Sequence, residues 1–190
     1  MIRMWLLVIS VTLLGAIGSG HAEDIGVFKD TGGCFCLLYD TSPGLMTVTV
    51  LHVNSQGATG SRFAAPMSSC MHLVTWLSDT AVFSGTVGNS QDGVSIDYDQ
   101  CITGNFQILT INYFVQGYTE ECCWYGIEPD PGASSGQVEV VDCEDQVVFV
   151  LGMDDLINSS ANCACLMPPF CYPVAIESST WGKIKALFQR

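Results

Sequence analysis

Basic side chains are almost missing from the body of this sequence. The chain has 19 Asp and Glu residues against 6 Lys and Arg, and no Lys or Arg lies between Arg62 and Lys183. Proteins that bind nucleic acids or anionic membranes need basic side chains to meet the phosphate groups. The shortage therefore excludes nucleic acid and anionic membrane surfaces as partners of this part of the chain.

Groups that carry catalysis are also scarce. Only His52 and His72 occur after residue 22, and no C-x-x-C pair indicates thiol redox chemistry. His52 falls within a predicted strand, where we expect a structural, hydrogen-bonded histidine. We therefore predict that the protein is not an enzyme. The alternative is an extracellular hydrolase, with a Ser, His and Asp triad or a carboxylate pair assembled by the fold.

The sequence lacks a second long apolar run after its first one. Residues 1–22 have the features of an export signal, with an early Arg, an apolar run over 5–17, and small residues at Gly20 and Ala22. Glu23 follows instead of a cysteine, which argues against a lipid-anchored protein. We predict a signal peptide at 1–22 and a secreted protein, extracellular or periplasmic, without a transmembrane segment after cleavage.

Alternation of apolar and polar residues dominates the rest of the chain. Val94, Ile96 and Tyr98 alternate with polar neighbours, which is typical of a half-buried strand, whereas helical periodicity is nearly absent over 25–175. Further candidate strands lie at residues 35–39, 46–50, 71–77, 80–87, 106–115, 138–140 and 146–151. We predict an all-β, antiparallel β-sandwich of immunoglobulin-like character over residues 23–151, with a β-barrel as the alternative.

The C-terminal part has a different composition. Residues 152–178 are rich in Cys and Pro and are predicted to be a loop segment. Residues 179–190 predict a short amphipathic basic helix with a Ser-Thr N-cap. Its apolar and basic positions are Trp181, Ile184, Leu187, Phe188, Lys183, Lys185 and Arg190. Because an isolated helix of this length is marginal in water, it needs a surface to pack on.

The cysteines predict a disulfide-stapled domain. Export places them in an oxidising compartment, where disulfides are the usual outcome. The candidates are Cys34, Cys36, Cys70, Cys101, Cys122, Cys123, Cys143, Cys163, Cys165 and Cys171. Ring strain argues against bridges between adjacent or next-but-one cysteines, so each needs a distant partner. The sequence leaves the pairing open.

The order of the cysteines along the chain suggests three of the possible pairings. Cys70 with Cys101 would tie the strands between them, and Cys122 or Cys123 would reach Cys143. The two C-x-C pairs would join the start of the domain to its end. The alternative is a thiolate zinc site made by the two C-x-C pairs and Cys171, although the C-x-C spacing differs from the usual C-x₂₋₄-C pattern.

Two further sets of residues suggest metal ions. Asp92, Asp97 and Asp99 lie close together and form a possible calcium site, although the D-x-[DN]-x-[DN]-G loop is missing. We otherwise predict no cofactor. Met67, Met71 and His72 surround Cys70 and have the soft ligands that copper prefers. For this second set we favour core packing.

Three aromatic residues near the double cysteine are candidate ligand-binding residues, namely Tyr118, Trp124 and Tyr125. Rigid exposed aromatic rings stack well on sugar rings and on protein partners. We nevertheless expect Trp124 to be buried against the bridges of Cys122 and Cys123. Its exposure would favour a carbohydrate- or calcium-dependent recognition domain.

The last twelve residues resemble a tail, T-W-G-x-I-K-x-L-[YF], of uncharacterised secreted β-rich proteins of uncultivated bacteria. Residues 76–80 and 109–114 are also similar to those proteins. The resemblance implies bacterial export and no activity. The tail is either a handle for sorting or a helix docked on its own domain. We therefore predict a secreted, non-enzymatic binding or structural module of the bacterial cell exterior, with an extracellular protein or glycan as its partner.

Overall fold

The computed structural model describes residues 23–117, 119–160, 162–163 and 171–172. The predicted signal peptide and the predicted C-terminal helix both lie outside the described residues, as do Tyr118 and Cys165. Within the described ranges, no helix is long and apolar enough to cross a membrane.

The described part of the chain is all-β and forms a disulfide-linked β-sandwich, as predicted. Alternating apolar positions place one face of each strand in a shared core. The strands are β1 Asp24–Phe28, β2 Gly44–Phe63, β3 Thr75–Ala81, β4 Gly85–Asn89, β5 Gly93–Val115, β6 Cys123–Gly126, β7 Val138–Asp142 and β8 Val147–Ile157.

Two long antiparallel strands, β2 and β5, connect the two layers. The first half of β2 pairs with β1 and the second half of β5, and the second half of β2 pairs with β7 and the first half of β5. The register between β2 and β5 shifts between Val50 and Gly60, where both strands bend. At this bend Gly57 has φ 134°, and a Cβ there would lie 2.9 Å from Cys143 Sγ. Each long strand therefore contributes to both layers.

The first layer contains β3, the second half of β5, the first half of β2, and β1. The second layer contains β4, the first half of β5, the second half of β2, β7, and the first half of β8. Val48, Val50 and Ile111 from the first layer and Ile96 and Val140 from the second are buried in one core. Each such side chain contributes about 1.5–3 kcal/mol of hydrophobic stabilisation.

Strand β8 is longer than the sequence predicts, because it continues to Ile157 whereas the predicted strand ends at residue 151. The strand pairs with β7, then in parallel with β1 from Leu151, and finally with β6. Gly152 does not end it, because the strand needs a residue without a side chain there. A Cβ on Gly152 would lie 2.1 Å from the Ile127 carbonyl oxygen. Three residues after Gly152, Asp155 accepts hydrogen bonds from the backbone N–H groups of Cys36 and Leu156.

Three other predicted strands differ from the structure. Residues 35–39 form no strand, and only isolated bridges occur nearby, at Cys34 and Leu38. The strands predicted at 71–77 and 80–87 begin later, as β3 and β4. Leu73 explains the first delay, because its φ of 54° is left-handed and interrupts extended backbone.

Four disulfides join described cysteines: Cys34–Cys171, Cys70–Cys123, Cys101–Cys143 and Cys122–Cys163. Cys36 is also disulfide-bonded. The adjacent cysteines take separate distant partners, as ring strain predicts. The suggested Cys70–Cys101 bridge and the suggested bridge from Cys122 or Cys123 to Cys143 are both wrong. The reason is the bend in β2, since Gly57 lies against the Sγ atoms of both Cys101 and Cys143. The suggested link between the two C-x-C pairs is wrong for Cys34 and Cys163, which bond to Cys171 and Cys122.

Candidate functional site

The outer face of the second layer carries a row of exposed apolar side chains on β8. Val148 and Val150 pack against the core, so the residues between and beside them point outward. Val147 and Phe149 are each 55% exposed and Leu151 is 69% exposed. We call Val147, Phe149 and Leu151 the β8 row. Large apolar side chains on neighbouring outward positions are typical of interaction surfaces.

The β8 row continues across the sheet into a shallow cavity. Val147 pairs with Val141 on β7, Val141 pairs with Gly60 on β2, and Gly60 pairs with Asp97 on β5. Since Gly60 has no side chain, the sheet is hollow at this point. The resulting cavity has a volume of about 470 Å³, and exposed Val87 of β4 lies on its far side. Its floor is therefore backbone, bounded by apolar side chains.

A second cavity lies along the other side of β8. It has a volume of about 440 Å³ and is lined by Phe149 and Leu151 together with Glu23, Asp142 and Glu144. Among the described strands, only β7 pairs with residues 147–150, because the pairing with β1 begins at Leu151. The β8 row therefore lies at a border of the sheet, between a glycine-floored cavity and an acidic one.

The charge around the β8 row is negative. Arg62 is the one Lys or Arg on this face within the described ranges, and its Nε lies 2.6 Å from Asp130 Oδ2. Burial opposes ionisation of Asp130, but hydrogen bonds from Arg62 and the Gly132 amide outweigh it and lower the pKa of this carboxyl. Arg62 is thus neutralised by an ionised partner. The other carboxylates on or beside the face are Glu23, Asp97, Glu139, Asp142, Glu144 and Asp145.

A buried polar cluster lies behind the second cavity. His52 Nε2 lies 2.8 Å from Glu23 Oε1, and His52 Nδ1 lies 3.2 Å from the Tyr98 hydroxyl. Burial opposes ionisation of Glu23, but its contacts with His52 and Ser55 outweigh it and lower the pKa of this carboxyl. His52 is fully buried on β2, in agreement with the structural role predicted for it. The cluster joins the chain at Glu23 to the core.

The structure contradicts two expectations for the aromatic residues. Trp124, expected to be buried, is 56% exposed, whereas Tyr125, a candidate ligand-binding residue, is 1% exposed. The alternation of β6 explains both, since Cys123 and Tyr125 face the core and Trp124 faces outward. The Tyr125 hydroxyl is 2.8 Å from that of Tyr113, and burial raises its pKa well above the ordinary value.

The described part of the chain contains no site of the kind that the metal hypotheses require. There, no group of three or more His, Cys, Asp or Glu side chains is arranged to hold a metal ion. Asp92 accepts a hydrogen bond from the Asn89 side chain, and Asp97 accepts one from the Asp99 amide. Asp92 and Asp97 therefore serve local hydrogen bonds.

The residues suggested as copper and zinc ligands have structural roles where the structure describes them. Cys70 is bonded to Cys123, so it has no thiolate for copper, and Met71 is buried in the core. His72 Nε2 lies 3.1 Å from Glu120 Oε1, and Met67 is exposed. The cysteines proposed as zinc ligands form disulfides wherever the structure describes them.

The sequence also contains one catalytic pattern that is not a catalytic site. Residues 132–136 match G-x-S-x-G, the pattern of a hydrolase nucleophile elbow. An elbow needs a strand before the serine and a helix after it, but this string lies in the turns between β6 and β7. The serine of this pattern is Ser134, which lies in a turn, and its neighbour Ser135 donates through Oγ to Glu139 Oε1 at 2.7 Å. The His52 ring contacts Glu23 and Tyr98, and the His72 ring contacts Glu120. The string therefore forms a turn.

The sequence does not predict the β8 row, because residues 147–151 are apolar at every position. Alternation cannot show which face of such a run is buried. The useful signal was the neighbouring sequence: Asp142, Glu144 and Asp145 immediately precede the run and supply no second apolar layer to cover it.

No protein-family model and no curated protein matches the chain. Solved structures with a similar fold include the sixth cohesin of scaffoldin B from Acetivibrio cellulolyticus, with 14% identity and a TM-score of 0.48 over 75% of this chain and 100% of that one. A Clostridium thermocellum cohesin from the Coh-OlpA complex has 12% identity and a TM-score of 0.48, over 72% of this chain and 99% of that one.

A third similar structure is a non-cellulosomal cohesin from the archaeon Archaeoglobus fulgidus. It has 13% identity and a TM-score of 0.43, over 74% of this chain and 91% of that one. Similarities at this level of identity and TM-score do not assign the chain to a family.

Proposed function

We propose that this protein is a non-enzymatic binding module of the bacterial cell exterior that holds a protein partner on the β8 row. The observation that carries the proposal is the run of outward positions Val147, Phe149 and Leu151, which are all apolar and all more than half exposed. A soluble domain does not need such a row for its own stability. The disulfide framework supports secretion, because such bridges persist in oxidising compartments.

The two cavities supply the shape that a partner would fit. A partner side chain can enter the cavity floored by Gly60, while the backbone of the partner lies along β8. Burying the exposed half of each residue of the row yields on the order of 1 kcal/mol. The row is then a set of hydrophobic anchors of the kind that dominate protein interfaces.

The charge of the surface indicates the chemistry of the partner. Carboxylates from β5, β7 and the turn after β7 surround the row, and Arg62, the one Lys or Arg of this face in the described part of the chain, is paired with Asp130. A partner segment that presents apolar side chains flanked by Lys or Arg meets both features. Complementary charge speeds association and selects partners, and salt screens it. Binding is therefore expected to weaken as the salt concentration rises.

Selection from a displayed peptide library tests this proposal with the disulfide-bonded protein as bait. We expect the enriched peptides to combine apolar residues with Lys or Arg and to lose binding to a Phe149→Ser/Leu151→Ser variant. Leu45→Ser is the matched control, because Leu45 is 75% exposed on the first layer. Peptides that bind the double variant as well as they bind the parent protein would disprove the proposal.

A specific observation also favours carbohydrate recognition as a second candidate function. The exposed ring of Trp124 follows two cysteines whose bridges lead to Cys163 and Cys70. The bridges fix its backbone, and a rigid exposed indole stacks well on a sugar ring. A glycan array compares the parent protein with Trp124→Ala. Glycan binding that disappears in the variant supports this function, and an array without any binding disposes of it.

A further inference from the structure

We infer that the chain's own C-terminal segment, residues 179–190, occupies the β8 row in the absence of a partner. This inference rests on the proposed function, since it names a ligand for the same surface. It follows from where the described chain ends, from the length of the remaining chain, and from charge complementarity.

The described chain ends beside the row. Tyr172 donates its backbone N–H to the Gly33 carbonyl at 2.8 Å, and Cys171 is bonded to Cys34. The Tyr172 ring centroid lies 6.3 Å from that of Phe28 and 6.0 Å from that of Phe35. This end of the chain is therefore held in a small apolar cluster that is separate from the main core.

Met153 connects that cluster to the row. It packs against the same buried cluster as Tyr172, which contains Phe28, and a Cβ on Gly26 would lie 2.8 Å from the Met153 Cε. On β8, Met153 is the next outward position after Leu151. An apolar path therefore runs from Tyr172 through Met153 to the β8 row, without a charged side chain of β8 between them.

The remaining chain is long enough to cover this path. From Met153 to Val147 the strand covers about 20 Å at about 3.3 Å per residue. The predicted helix of residues 179–190 is about 18 Å long at 1.5 Å per residue. The residues between Tyr172 and Ser179 provide a linker that reaches about 20 Å when extended. The segment therefore reaches the row and matches it in length.

The apolar and basic residues of the segment complement the apolar and acidic residues of the surface. It has the apolar side chains Trp181, Ile184, Leu187 and Phe188, and it holds three of the chain's 6 Lys and Arg residues. On the surface, Glu23, Asp142 and Glu144 line the cavity beside Phe149 and Leu151. Apolar side chains would cover the row while Lys183 and Lys185 face these carboxylates. The segment is the one strongly basic stretch of the sequence.

Covalent linkage makes even weak docking effective. A short linker gives an effective concentration of about 1 mM. If the free peptide binds with a Kd of about 100 µM, the attached segment occupies the row in about nine molecules out of ten. An external partner then has to displace it, so its apparent affinity falls about tenfold. The tail therefore acts as a built-in competitor.

Photo-crosslinking in the full chain without its signal peptide tests this inference. The crosslinking amino acid p-benzoylphenylalanine replaces Phe149 in one sample and Leu45, on the other layer, in the control. We expect crosslinks from position 149 to residues 179–190, and at least fivefold fewer from position 45. Lys183→Glu/Lys185→Glu should reduce the yield at position 149 to the control level. Equal yields at the two positions, or none to the tail, would overturn the inference.

An isotope-labelled copy mixed with an unlabelled copy identifies the chain that supplies the segment. Crosslinks within one copy support the inference, and crosslinks mainly between copies overturn it in favour of a second copy of this chain as the occupant. The library-selected peptides keep the two proposals apart. If they bind through Phe149 and Leu151 while the tail does not crosslink, the proposed function stands and this inference fails.

Discussion

Replacing Asp155 with Asn is expected to stabilise the protein at neutral pH. Asp155 lies near the C-terminal end of β8 and is 1% exposed. Burial raises the pKa of its carboxyl group to about 6. Hydrogen bonds from the Cys36 and Leu156 amides oppose this shift but do not cancel it. Both amides donate to Oδ1, while Oδ2 is buried without a hydrogen-bond partner. An amide oxygen keeps both bonds and removes the buried charge.

The magnitude follows from the difference between the folded and unfolded pKa values. Each unit corresponds to about 1.4 kcal/mol. The rise from 3.8 to about 6 therefore corresponds to about 3 kcal/mol. Because the folded-state pKa is raised, the carboxyl group favours folding fully below pH 3.8. This contribution is lost as the pH rises through about 6, and above that pH the folded protein bears the whole cost of the buried charge.

Urea unfolding of the disulfide-bonded protein between pH 4 and pH 7.5 measures this effect. The free energy of unfolding of Asp155→Asn should exceed that of the parent protein by an amount that grows to about 3 kcal/mol across the titration. Asp92→Asn, at an exposed turn, is the matched control and should show no such trend. A difference between Asp155→Asn and the parent that is independent of pH would refute the reasoning.

Three further predictions concern the framework, each measured by urea unfolding. Gly57→Ala should cost about 2–4 kcal/mol, because the position combines φ 134° with a close approach to Cys143 Sγ. Gly104→Ala, with φ 83° and open space around it, should cost only about 1 kcal/mol, and equal losses would contradict the packing argument. Ile111→Ala should cost about 2–5 kcal/mol, and a loss below 1 kcal/mol would show that the site is not in the core. Removing both Cys34 and Cys171 should cost about 2–5 kcal/mol, and unchanged stability would argue against the bridge.

The strands that the sequence predicts well are those with a polar face. Val94, Ile96 and Tyr98 show the buried face of β5 directly, because Ser95 and Asp97 separate them. The sequence does not show that this strand and the run 106–115 are one continuous strand. Asp99 and Gly104, with φ 61° and 83°, look like turn positions but lie within the bend of β5. The pairing with β2 keeps the strand continuous there, and pairing partners cannot be inferred from a local pattern.

The candidate site was less predictable than the fold. Trp124 stands out in the sequence, but its exposure depends on which way β6 faces, and that is set by the pairing of Trp124 with Leu156. The exposure of the β8 row depends on whether another layer of the protein covers the all-apolar run of β8. Both answers come from tertiary contacts between distant segments. The disulfide pairing fails for the same reason, since Cys101 and Cys143 meet only because β2 bends at Gly57.

The bridge between Cys34 and Cys171 has a consequence for the order of events during biosynthesis. Its two cysteines are separated by 137 positions, so Cys34 is synthesised long before Cys171. During that time Cys34 meets every intervening thiol before its native partner, and an early pairing has to be undone by exchange. We therefore expect maturation to depend on a disulfide isomerase, with truncated chains accumulating as mixed disulfides.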